Sequence, residues 1–209
     1  MSNADSSTQS PAGAAKRKAI LGRESLNMPN LVTGIRLLLS LVLFSMISAG
    51  DCWISAAALF VFAASTDALD GYLARRYKQI TVLGRILDPF VDKVIVCGSF
   101  VFLLEKQGES GSGVNAWMVI IIIGREMFVS SLRGILEKEG KDFSASMAGK
   151  LKMTLQCVAV TASLLSLSES LPWTWLPGLR DVILWLSVGV TIWSGLIYVI
   201  RGFSLLRQE

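Results

Sequence analysis

At 209 residues, 52% of them hydrophobic, with a mean hydropathy of +0.55, the chain is too apolar for a soluble domain, which would alternate apolar with polar residues at helix or strand period. Its net charge of +4 and pI near 9.1 collect in clusters beside apolar runs, so nucleic-acid binding is not implied. Three cysteines without metal-ligand spacing exclude a disulfide framework, and the absence of histidine leaves carboxylates as the leading candidates for any general base near neutral pH.

In chain order, residues 1–26 form a polar tail. Its first part, "MSNADSSTQSPAGAA", is small and polar and reads as disordered. The next, "KRKAILGRESLNMPN", is basic with interspersed Ile20, Leu21 and Leu26. It suits a short interfacial helix on the anionic cytoplasmic leaflet, or equally a basic anchor without defined structure. Residues 27–209 then carry six apolar segments of roughly the 17 to 25 residues that a helix needs to cross a bilayer. They are Leu31 to Ala49, about Trp53 into "TDALDGYLARR", about Asp88 to Leu104, Trp117 to Leu136, Leu151 to Leu167, and Val182 to Phe203. Glycine and proline turn signals at Gly50-Asp51, "QGESGSGVN" and "LPWTWLPGLR" separate them. The fold expected is an all-α integral membrane protein with six transmembrane helices.

Lysine and arginine sort by side. Lys16, Arg17, Lys18 and Arg23 precede the first crossing. Arg75, Arg76, Lys78 and Arg85 lie between the second and third, and Lys138, Lys141, Lys150 and Lys152 between the fourth and fifth, whereas the opposite connections hold only Lys106 and Arg180. The positive-inside rule then puts both termini in the cytoplasm. No small-x-small cleavage site stands out after the first apolar run, so a cleaved signal peptide is not expected. A bacterial inner membrane is expected rather than an organelle.

Four aspartates interrupt this pattern. In "DALDGYLARRYKQITVLGRILDPFVDK", at about 100° per residue, Asp70, Ala74, Asp67, Gly71 and Arg75 fall within roughly 140° of one helix face. Asp88 and Asp92 are one turn apart on the next helix. Each carboxylate costs roughly 2.5 to 3.5 kcal/mol at a helix centre, less near an end, and four together repel one another. Divalent cations resolve this: an all-oxygen donor set suits Mg2+ or Mn2+, and four aspartates suffice for two ions. Gly71 and Ala74 leave room for a bulky ligand beside them, and Arg75 is placed for its phosphates. The structural alternative is that Asp88 before Pro89 is an N-cap and that Asp67 and Asp70 pair with Arg75 and Arg76.

The pattern D-x-x-D-G-x-x-A-R, eight residues, then G-x-x-x-D-x-x-x-D, from Asp67 to Asp92, resembles the signature of the CDP-alcohol phosphotransferases at all its fixed positions. Flanking segments "NMPNLVTGIR" and "GREMFVSSLRGILEKEGKDFSASMAGKLKMTLQ" are similar to members that join CDP-diacylglycerol to glycerol 3-phosphate. The resemblance spans about Asn27 to Arg207 and implies the family's six-helix fold, cytoplasmic termini and a homodimer. It also implies that Asp67, Asp70 and Asp88 hold the metals, with Asp92 completing the second site and acting as general base. Gly71, Ala74 and Arg75 would meet the cytidine and diphosphate, and Gly84 would allow close approach near the nucleotide. Glycerol 3-phosphate would attack the diacylglycerol-side phosphorus through its 1-hydroxyl, releasing CMP.

The acceptor needs its own anion site. Arg125 and Arg133 are eight residues apart, hence about 80° from one another on the fourth helix, with Glu126 nearby. Charges inside an apolar crossing are functional by default. Arg36 in the first helix and Lys150 and Lys152 at the start of the fifth are candidates to join them around the phosphate. Mutual neutralisation of Arg125 and Glu126 is the alternative. Other acceptors, namely inositol phosphate, serine or phosphatidylglycerol, stay open within the family. A cation transporter is the rival from another class, since it too explains intramembrane aspartates.

Overall fold

The computed structural model describes residues 28–77, 82–106, 111–138 and 147–206, except the side chains of 28–30, 67–77, 82–86, 88, 137–138, 148 and 205–206. The basic tail expected to lie on the membrane surface falls outside the described residues. Six helices make up the described chain: α1 Met28–Ala49, α2 Trp53–Tyr77, α3 Val82–Leu104, α4 Ala116–Lys138, α5 Met147–Ser166 and α6 Leu176–Leu206. Each contains one of the six apolar segments, except that α5 ends one residue short of Leu167.

Local chemistry sets several of the boundaries. Gly50 adopts φ 84° and its N–H donates to the Met46 carbonyl at 3.1 Å, the left-handed cap that ends α1 and that a side chain would strain. The Asn115 side-chain oxygen accepts from the Met118 N–H at 3.0 Å, capping the start of α4. Pro177 sits in the first turn of α6, where no backbone donor is missed.

Two boundaries differ from expectation. Helix α3 begins at Val82, so Pro89 lies inside it and Asp88 is not an N-cap. Pro89 removes one backbone hydrogen bond, but a helix in an apolar setting keeps its remaining backbone groups satisfied only by continuing through it. Helix α6 begins six residues before Val182. Its first turns carry Arg180 and Asp181, which bond to each other at 2.8 Å. Arg180 also donates to the Gly111 carbonyl and, at 3.1 Å, to Ser166 Oγ, tying α5, α6 and the α3–α4 connection together.

Helix α5 packs along α6, α1 against α3 and α2, α4 against α6, and α2 against α5. The main core runs through α1 to α6 and includes Leu43, Ile47, Phe60, Phe100, Leu103, Ile122, Leu164 and Leu184. A smaller cluster of Val129, Leu136 and Tyr198 lies between α4 and α6.

Polarity is distributed the opposite way from a soluble protein. Leu38, Trp117, Ile120, Met127, Ile200 and Phe203 are exposed, while Ser40, Ser99, Gln156, Ser163, Thr191 and Ser194 are buried. Hydroxyls bond back to carbonyls of their own helix, as Ser40 does to Arg36 and Ser99 to Ile95. An apolar exterior of this extent needs lipid or a partner against it. Among the described residues, two helices are long and apolar enough to cross a membrane, over Leu31–Ala49 and Leu176–Ser204.

Candidate active site

The up-and-down order of the helices brings one set of charged positions to one end. These are the N-terminal halves of α1, α3 and α5 and the C-terminal halves of α4 and α6. There a cavity of about 280 Å3 opens, close to the lower end of the roughly 300–1,000 Å3 of small-ligand sites. Asp92 and Lys93 from α3, Arg125, Glu126 and Arg133 from α4, Lys150 and Lys152 from α5, and Tyr198 from α6 line it. Five of these residues, Asp92, Arg125, Arg133, Lys150 and Lys152, are ones the sequence points to, and they come from three different helices.

Arg36 does not line the cavity. Its Nη1 donates to Asp92 Oδ1 at 2.8 Å, with the arginine side chain 4% and the aspartate 24% exposed. Although expected at the acceptor phosphate, Arg36 instead grips the carboxylate on the cavity wall. A charge-assisted bond of this kind fixes the carboxylate's orientation, which matters for any group that must receive a proton along one direction.

Glu126 is the hub of the cationic side. Its Oε1 accepts from Arg125 Nη1 at 3.0 Å and from Lys152 Nζ, so one carboxylate links α4 to α5. Arg125 is held further by Ser194 Oγ at 2.9 Å and by the Tyr198 ring, 5.3 Å from its guanidinium carbon, a cation–π distance. Arg125 is paired with Glu126, as one of the two alternatives weighed for it has it, and it also lines the cavity. Lys93 donates to Ser130 Oγ, and the Ser130 hydroxyl donates in turn to the Glu126 backbone carbonyl at 2.6 Å. The Nε atoms of Arg125 and Arg133 are buried with no hydrogen-bond partner, a costly condition that a bound anion relieves.

Sequence reasoning assigned no role to Lys93, Ser130, Ser194 or Tyr198. Lys93 carried a usable signal, being a lysine inside an apolar crossing. The other three are ordinary helix residues whose significance depends on which neighbour they meet.

The side chains of Asp67, Asp70, Asp88, Gly71, Ala74, Arg75 and Gly84 lie outside the described residues. Their backbones belong to α2 and α3, two helices that touch. Among the described residues there is no group of three metal-ligating side chains, and of the four aspartates only Asp92 is described there. Chemically the donor set fits a hard divalent cation: it is all oxygen, and positions 88 and 92 are one turn apart on a continuous helix.

Comparison with known proteins identifies the chain's relatives. The family model described as CDP-alcohol phosphatidyltransferase matches residues 26–193. A CDP-diacylglycerol–glycerol-3-phosphate 3-phosphatidyltransferase of Bacillus subtilis is 33% identical over 198 residues, covering 88% of this chain and 98% of that one. The enzyme of the same name from Pseudomonas fluorescens is 33% identical over 189 residues, covering 88% and 94%. One from Arabidopsis thaliana is 32% identical over 171 residues, covering 76% and 72%. A signature that spans α2 and α3, a family match across most of the chain and similarity over nearly whole relatives agree: this chain belongs to the CDP-alcohol phosphatidyltransferase family of enzymes.

Proposed function

We propose that the protein transfers the phosphatidyl group of CDP-diacylglycerol to the 1-hydroxyl of glycerol 3-phosphate, forming phosphatidylglycerophosphate and CMP. The observation that carries this reading is the cavity itself, in which one oriented carboxylate, Asp92, shares a wall with arginines and lysines from α3, α4 and α5. A hydroxyl to be deprotonated and a phosphate to be held are the two parts of a phosphorylated alcohol. The relatives named for glycerol 3-phosphate favour that acceptor over inositol phosphate, serine or phosphatidylglycerol. A cation path has no use for a cationic chamber, so the transporter alternative loses its support.

Asp92, steadied by Arg36, takes the proton of the acceptor's 1-hydroxyl as its oxygen forms a bond to the diacylglycerol-side phosphorus. The bond from that phosphorus to the CMP oxygen breaks, and CMP departs with the electron pair. The basic wall that includes Arg125, Arg133, Lys150 and Lys152 receives the acceptor's phosphate, which orients the hydroxyl. Asp67, Asp70, Asp88 and Asp92 would hold Mg2+ or Mn2+, which when bound supplies positive charge against the diphosphate and the leaving group. Gly71, Ala74, Arg75 and Gly84 would receive the cytidine and diphosphate of the donor. All six helices cross the membrane in this arrangement, with residues 27–209 as one catalytic unit, both termini and the site at the cytoplasmic side, and two copies forming a homodimer.

The test is direct. Purified protein is given CDP-diacylglycerol, Mg2+ or Mn2+, and each acceptor singly, with CMP release measured and the lipid product identified. Glycerol 3-phosphate should support turnover at least tenfold above serine, inositol phosphate and phosphatidylglycerol. Turnover confined to another acceptor overturns the assignment.

A further inference from the structure

The cations of the cavity are not equivalent, and their partners sort them. Glu126 is shared by Arg125 and Lys152, so each of those charges already faces a carboxylate. Lys93 and Arg133, both half-buried, have no carboxylate partner among the described residues, and Lys150, which has none either, is exposed. Among the described residues the Lys93 ammonium donates to the neutral oxygen of Ser130, and Arg133 Nε, like Arg125 Nε, is buried without a hydrogen bond. A cation inside an apolar helix bundle that lacks a counter-charge is costly, and removing one partner of a buried pair is more destabilising than never having had the pair. A structure that retains two such cations on one cavity wall is arranged to receive a negative charge there.

From this we infer that Lys93 is an acceptor-phosphate residue, working with Arg133, and that Arg125 and Lys152 form a neutralised frame around the cavity rather than its main attraction for the anion. The inference rests on the transferase reading above and names the subset of cations that grips the phosphate. Two half-buried cations without counter-charges suit the negative charge of a phosphomonoester, whereas Lys150, also without a carboxylate partner among the described residues, is exposed. Ser130 serves as their placeholder: its proton is committed to the Glu126 carbonyl, so its lone pair points the Lys93 ammonium at the cavity until phosphate takes over. Lys93 directly follows Asp92 on α3, so phosphate held there keeps the rest of a short acceptor beside the carboxylate that takes its proton. The sequence emphasis on Arg125 is thereby shifted: Arg125 fixes the shape of the site, and Lys93 and Arg133 supply most of its charge selectivity.

Steady-state kinetics on purified full-length protein test this, with Lys93→Met, Lys93→Arg and Lys152→Met compared against wild type and inorganic phosphate used as a competitive probe. Lys93→Met should raise KM for glycerol 3-phosphate and Ki for phosphate about tenfold or more, with KM for CDP-diacylglycerol and kcat at saturating acceptor within about threefold. Lys93→Arg should recover most of the loss, and Lys152→Met should change the phosphate Ki less than Lys93→Met does. If Lys93→Met does not fold, Lys93→Gln, which keeps a donor for Ser130, carries the same expectation. The inference is overturned if phosphate Ki stays within twofold of wild type, if both substrates' KM values rise together, or if kcat alone falls. A wild-type protein that does not turn over glycerol 3-phosphate would instead overturn the transferase reading, while the phosphate Ki could still be measured with whichever acceptor works.

Discussion

Asp92 carries two demands that a single carboxylate seldom meets together: it stands among the expected metal ligands, and it is proposed to take the acceptor's proton. The Arg36 bond at 2.8 Å makes this workable by fixing one oxygen, so that the group's orientation does not depend on the acceptor. Asp92→Asn keeps the size and one acceptor oxygen but cannot take up a proton. It should lower kcat by roughly the 10² to 10⁴ typical of general acid–base groups, while KM for CDP-diacylglycerol changes by less than about threefold. A kcat within tenfold of wild type would remove Asp92 from the proton transfer. The residue scale also shows what a sequence can reveal. Charges in or beside apolar segments announce themselves, and Asp92, Arg125, Arg133, Lys150 and Lys152 were legible as candidates for that reason. The Glu126 bridge, the Ser194 bond and the Tyr198 ring under Arg125 were not, because they depend on the rotation and depth of α4, α5 and α6 relative to one another, which no spacing within a single helix encodes.

Between elements, the site depends on α1 and α3 staying in register, since Arg36 and Asp92 come from those two helices. Their close approach is made by Gly98 of α3, against which the Phe44 ring of α1 lies so closely that an added Cβ would collide with three of its atoms. The ring cannot swing aside freely, because it is stacked on Phe102 with centroids 5.0 Å apart and interplanar angle 9°. Gly98→Ala should therefore cost roughly the 1–3 kcal/mol of an overpacked core, read as a lower thermal midpoint in detergent. Adding Phe44→Leu should return part of that loss, and an unchanged midpoint for Gly98→Ala would mean that the two helices separate easily. At this scale the existence of six helices was plain, since runs apolar on all sides need no period to be recognised. Boundaries were less plain where polarity and backbone disagree. Arg180 and Asp181 end the apolar count before α6 does, yet they neutralise each other inside the helix. Asp88-Pro89 looks like a helix start and is an interior position.

For the molecule as a whole, the two ends of the bundle are chemically distinct, and the difference is the basis of the orientation proposed for it in the membrane. The cavity end holds Lys150 and Lys152, and in the sequence Arg75, Arg76, Lys78, Arg85, Lys138 and Lys141 fall in or beside the α2–α3 and α4–α5 connections. At the other end, Lys106 donates to the Ser48 carbonyl at 2.8 Å and Arg180 is tied into its loops, so the few cations there are already occupied with structure. In the proposed arrangement, retention of cations on the cytoplasmic side would put the cavity where the proposed acceptor, soluble glycerol 3-phosphate, is found and the α1–α2 turn on the opposite face. The chain's three cysteines report on this without engineering. Cys52 is exposed in that turn, whereas Cys97 and Cys157 are half-buried within helices. A membrane-impermeant maleimide applied to intact spheroplasts should label the wild-type protein at Cys52, and Cys52→Ser should lose most of that labelling while transferase activity stays within about twofold. Labelling of Cys52 only after the membrane is permeabilised would invert the arrangement. It would place the acceptor cavity on the face away from the cytoplasmic substrate and leave the positive clusters on the wrong side.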